Sequence, residues 1–154
     1  MKYPSEDNRF LVEHAVLLQQ SYQHFLGQDL LLAQQPEDLA RLLFHAPYVL
    51  LSHNTENDPI FTYANMKAIE LFGYSWDEFI QLPSRLSAEH AHQADRISLL
   101  AEVNQKGYSK NYRGIRVAKS GQRFLINNAV VWNLRDSQGR YAGQAAKFAD
   151  WKYL

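Results

Sequence analysis

The chain contains no cysteine. That excludes disulfides, thiolate nucleophiles, zinc ribbons and thiol-adduct photochemistry. It fits a reducing compartment, and the cytoplasm is the expected location. The opening residues, MKYPSEDNRF, lack the apolar stretch of a secretory signal. No later run reaches the ~20 apolar residues that span a bilayer, so no membrane is expected as a partner. A P-loop, G-x-S-x-G and H-E-x-x-H are all missing, which removes the common signatures of NTPases, serine hydrolases and zinc proteases. Acidic residues are missing between Glu102 and Asp136. Residues 1–102 carry fourteen acids and six Lys or Arg, and residues 103–154 carry two and ten. The formal net charge is zero, so the basic segment reads as a solvated sheet face balancing acidic helices, and nucleic acid is not an expected partner.

What is present suits one packed domain. The 154 residues are 46% hydrophobic and 13% aromatic, enough for a core that needs no staples. Leu11, Ala15, Leu18, Tyr22 and Phe25 recur at helical spacing, and Gly27 is a natural stop. A second helix is predicted from Pro36, with Glu37 and Asp38 in its first turn and Leu39, Leu42, Leu43 and Ala46 as its apolar face. Tyr48–His53 and Ile60–Tyr63 read as strands joined by a polar turn, hence a hairpin. Asn65 is placed to cap a short helix that Gly73 ends, and Ser75 with Glu78 forms a capping box. Ser87 is a candidate cap for a longer helix ending at Gly107, with Ala94, Ile97 and Ala101 as its apolar stripe. The last third reads as a three-strand meander with turns at Gly121 and Gly139. This order implies an α+β domain. It has one five-stranded antiparallel sheet, central strands from opposite ends of the chain, and helices over one face.

The run PIFTYANMKAIELFGYSWDEF, with Asn65, Leu71, Phe72, Gly73, Tyr74, Ser75 and Glu78, resembles a PAS domain. The segments APYVLLSH, DPIFTYAN, PSRLSAE and VVWNLRDSQGRYAGQAAKF resemble the MEKHLA domain family more closely. That family is PAS-like and occurs as stand-alone bacterial proteins. It also occurs at the C-terminus of a plant class of homeodomain–leucine zipper transcription factors. The resemblance implies a sensory or regulatory domain. It divides the chain into an N-terminal helical extension, 1–46, and a PAS-like unit, 47–154.

The stretch PSRLSAEHAH, Pro83 to His92, concentrates polar chemistry. His90 and His92, two apart on an expected helix, point away from each other, so no metal is expected between them. Haem-binding PAS domains use a histidine in this region, and His90 shares the predicted stripe, so haem stays open. Flavin also stays open for redox use. Asn127 falls where light-sensing relatives contact flavin, although Gln144 stands one position off. Arg85 is expected to meet a carboxylate such as Glu89, or an anionic ligand. Alternation on QRFLINNAVVWNL puts Phe124, Ile126, Asn128, Val130 and Trp132 on one face. With Gln144 on the last strand, Asn128, Trp132 and Phe124 are the pocket candidates. Ser52, His53 and Asp58 are the residues from which a catalytic set could be imagined, but no triad is legible from spacing.

The function expected from this reading is a non-catalytic PAS-like sensory or regulatory module binding a small ligand or a protein partner. A ligand-free dimerisation module is the alternative. The N-terminal helix offers more apolar surface than one face requires, which suggests a homodimer through it.

Overall fold

The computed structural model describes residues 1–88 and 93–154. Helix α1 spans Val12–Leu26 and α2 Pro36–Phe44. The hairpin β1, Val49–His53, and β2, Phe61–Ala64, follows. Then come α3, Met66–Phe72, α4, Trp76–Phe79, a 3-10 turn at Ser84–Ser87, and α5, Gln93–Lys106. The chain closes with β3, Tyr108–Val117, β4, Arg123–Arg135, β5, Tyr141–Phe148, and β6, Asp150–Tyr153. The strand order is β2-β1-β5-β4-β3, so the central pair β1 and β5 does come from opposite ends of the chain. β6 is a sixth strand beyond the expected five. It runs beside the first half of β4, in line with β5, and pairs Asn127 with Asp150 through Phe124 with Tyr153. Among the described residues no helix is long and apolar enough to cross a membrane.

The local signals for the helices are realised in the caps. Asn65 accepts from the Ala68 amide at 3.1 Å. The Ser75 hydroxyl accepts from the Glu78 amide at 3.2 Å, and Glu78 reaches back to the Ser75 amide at 3.0 Å, the reciprocal satisfaction of two orphan donors. Gly27 and Gly73 both end their helices in the left-handed region. Ser87 does not cap a helix. Its hydroxyl donates to the Ser84 carbonyl at 2.7 Å and the next residue, Ala88, is extended.

Helices cover both faces of the sheet, not one. The α3 and α4 face packs Phe72, Phe79, Phe124, Ile126 and Phe148 into one core. On the opposite face α1 and α2 cover Leu50, Tyr63, Trp132, Leu134 and Ala145. The apolar surplus of α1 goes to this second core: Leu11, Val16, Leu17, Phe25 and Leu26 pack against it. These side chains are only partly buried, so α1 covers the chain's own core and still presents part of its apolar surface. Leu42 is an exception to the expected face of α2 and lies exposed. The turn into α1 holds Arg9, Phe10 and Leu11 at positive φ. Phe10 tolerates this because its buried ring sits between Phe44 and His45.

Candidate functional site

Two bulges decide what faces the α3 and α4 side of the sheet. Tyr112 pairs with Ala129 and Gly114 with Ile126, so β4 carries one residue more than β3 between those pairs. Asn128 takes up the excess at φ 55. Between the Tyr112 and Ser109 pairs the excess is on β3, where Asn111 sits at φ 59. Asparagine tolerates the left-handed region better than other side chains with a Cβ. The Asn128 bulge inverts the alternation of β4. Phe124 and Ile126 face the α3 side, as do Ala129 and Val131, while Trp132 and Leu134 face α1.

The expected pocket set is thus divided. Asn128 is exposed. Trp132 lies on the opposite face, its ring 4.9 Å from that of Tyr22 in a T-shaped contact. Asn127 faces away from the cavity and accepts from Arg113 Nε at 3.2 Å. Phe124 is buried on the cavity side, packed edge to face on Phe72 at 5.2 Å. Arg85 is exposed and holds Asp58 with its Nε at 3.1 and 3.2 Å from the two carboxylate oxygens. His90 and His92 lie outside the described residues. The stripe meant to turn His90 inward is exposed: Ala94 and Ala101 face out and Ile97 is 63% exposed. Among the described side chains of α5 the buried ones are Leu99 and Val103.

Gln144 does line a cavity. Between the sheet, α5 and the Ser84–Ser87 turn lies a void of about 70 Å³. Its floor is Ile126, Ala129, Val131 and Ala146, and Phe61, Phe72 and Leu99 stand around it. Polar groups reach it from Gln144, His53, Arg116 and the turn. Gln144 is 4% exposed, and its amide oxygen has no partner among the described residues. Such an atom carries a desolvation penalty of about 1–3 kcal/mol until something donates to it. Arg116 and Tyr112 were not legible as site residues. The only sequence signal was Gly114 between them on an edge strand.

The imagined Ser52, His53 and Asp58 set is not assembled. Ser52 faces the N-terminal helices, where its hydroxyl meets His14 Nε2 at 2.8 Å and the Thr62 hydroxyl at 3.1 Å. His53 faces the cavity and Asp58 is held by Arg85. Burial pushes the His14 pKa down to about 4, so at neutral pH the imidazole is uncharged.

The fit to a flavin is poor, and His90, the residue on which haem depends, lies outside the described residues. Ligand sites for flavin-sized molecules run upwards of about 300 Å³, and the cavity holds about 70 Å³. The Asn127 that would contact a flavin is turned to Arg113. Among the described residues no group of His, Asp and Glu is clustered as metal ligands would be.

A five-strand β2-β1-β5-β4-β3 core with α3 to α5 over a small interior cavity defines a PAS-type fold. The chain belongs to the MEKHLA domain family, whose model matches residues 12–153. Solved structures share the fold. A PAS domain from Colwellia psychrerythraea aligns with TM-score 0.63 and 13% identity over 77% of this chain and 95% of that one. An RNA-binding light-oxygen-voltage receptor aligns with TM-score 0.64 and 18% identity over 78% of this chain and 35% of its own. The blue-light photoreceptor domain of Aureochrome1 aligns with TM-score 0.56 and 18% identity, covering 80% and 88%. No curated protein is similar enough in sequence to count as a relative.

Proposed function

We propose that this chain is a non-catalytic sensory module that binds a small molecule in the cavity between β4, β5 and α5. The observation that carries this reading is Gln144, almost fully buried, aimed into that cavity and with an amide oxygen that has no partner among the described residues. A buried polar atom without a partner is what a ligand's donor satisfies. Ser52, His53 and Asp58 face apart, which supports the non-catalytic reading. The signal leaves through α5, whose described buried residues, Leu99 and Val103, meet the sheet at Val131, with Tyr112 and Ala146 packed alongside.

Native mass spectrometry of the purified protein and of Ala146→Leu tests the reading. Leucine at 146 fills the floor of the cavity. The expected result is a bound small molecule, or a hit from a metabolite panel, that the variant loses. A variant that melts higher, in a protein that binds nothing, makes the cavity a packing void. An interaction module with a filled core then takes the place of the sensor.

A further inference from the structure

We propose that the cavity takes a slender carboxylate, with its anionic end on Arg116 and its apolar body along β4 and β5. This rests on the ligand-binding reading above and adds the ligand's class. Tyr112, Gly114 and Arg116 stand on the cavity face of β3, opposite Ala129, Ile126 and Phe124. A Cβ at position 114 would overlap the Tyr112 hydroxyl. Glycine there lets the tyrosine ring lie along the strand and meet the guanidinium. Arg116 Nη2 donates to that hydroxyl at 3.2 Å, and the guanidinium lies 5.4 Å from the ring centroid. Nη1 donates to the Ile115 carbonyl at 3.0 Å. These contacts fold the side chain back along β3 to the cavity wall, where it is half-buried.

No carboxylate among the described residues pairs with Arg116. A guanidinium has five N–H donors, and the two bonds above engage only part of them. A partly desolvated arginine with spare donors and no counter-ion among the described residues selects an anion, and its planar fork matches a carboxylate. Beyond it the floor is apolar and low, through Ile126, Ala129, Val131 and Ala146. Gln144, whose amide oxygen has no partner among the described residues, closes the other end.

The Tyr112 hydroxyl lies over Gly114, opposite Ile126, so the guanidinium bonded to it stands at the Ile126 end of the floor, and Gln144 stands opposite Asn133 towards the other end. Acetate is too short to lie along that floor, whereas a medium chain such as octanoate extends from the guanidinium over Ile126, Ala129 and Val131. Entry of such a chain widens the void at its α5 wall, which links occupancy to the element that carries the signal.

Calorimetric titration of the full chain with octanoate, octanamide and acetate tests the proposal, with Arg116→Gln and Arg116→Lys as variants. The expected result is one saturable octanoate site. Octanamide and the Arg116→Gln protein should bind about tenfold more weakly or worse, Arg116→Lys should keep part of the affinity, and acetate should give no measurable heat. Circular dichroism of both variants checks the fold, and the lysine variant serves if glutamine disturbs it. Equal affinity for octanoate and octanamide, or unchanged binding by Arg116→Gln, overturns the anion assignment and leaves the cavity reading standing. No binding of either probe overturns the proposed class, and the Ala146→Leu comparison then decides whether the cavity binds anything.

Discussion

A neutral histidine held between a helix and a sheet makes stability depend on pH. The His14 ring stacks on Tyr63 at 5.2 Å, and its Nε2 meets Ser52. Burial lowers its pKa from 6.5 to about 4. The unfolded chain takes up a proton below 6.5 and the folded chain resists until about 4. Stability is therefore full above pH 6.5 and falls as pH drops towards 4, by up to about 3 kcal/mol. Glu78, Glu37 and Asp136 are also lowered, each chiefly by a hydrogen bond, and they act below the usual carboxylate range. Among the described groups whose pKa is displaced, His14 is the one that acts between pH 6.5 and 5. Urea midpoints at pH 7 and pH 5 should fall for the native chain and stay nearly level for His14→Gln. An equal drop in both would refute the assignment. Asn128 gives a second residue-scale outcome. It is exposed and left-handed, so Asn128→Gly should be neutral or mildly stabilising. Asn128→Val should cost about 1–2 kcal/mol through the β-branched clash at positive φ. Thermal melts of the pair measure this, and a tolerated valine would mean the bulge is not held as described.

Gly143 shows how one strand serves both layers. It sits at φ 128, and a Cβ there would overlap the carbonyl oxygen of His53. Leu134 pairs with Gly143 and Arg135 with Tyr141, so β5 carries an extra residue at this point. Gly143→Ala should push β1 from β5 and lower stability by about 1–3 kcal/mol, readable as a lower melting temperature. A variant that melts like the native chain would show that β1 can shift freely. The elements themselves were largely legible because their signals are local. Asn65 and the Ser75–Glu78 pair act within three residues of the groups they cap, and Gly27 and Gly73 end helices by their own φ. The face assignments of β4 were not legible past Asn127. Its phase is reset by a bulge that β3 compensates at Asn111, and pairing across strands is not written in either strand alone. The stripe on α5 misled for a related reason. Ala94, Ile97 and Ala101 have the right period, but Leu99 and Val103 are the residues the sheet buries. Arg116 was hidden because an arginine on a half-buried edge strand reads as solvated.

At the scale of the molecule the N-terminal helices act as a structural layer. Ala15, Leu18 and Tyr22 of α1 share a core with Leu50, Tyr63, Trp132, Leu134 and Ala145 of the sheet. The Ser21 hydroxyl accepts from the Arg135 amide at 2.9 Å, which ties α1 to the end of β4. A chain beginning at Asp29 loses α1 and leaves that apolar face uncovered. Each large side chain stripped of its burial forfeits about 1.5–3 kcal/mol, while a domain is held by only about 5–15 kcal/mol in all. Losing several such side chains together exceeds that margin. The truncated chain is therefore expected to lose cooperative melting and near-UV dichroism, with tryptophan emission shifted to the red as Trp132 meets water. Light scattering should show it as aggregate, whatever the state of the full chain. A truncated protein that melts cooperatively with unchanged emission would make α1 a detachable appendage. The apolar face of α1 would then be available to a second copy of the chain, and a dimer that vanished on truncation would place the interface there.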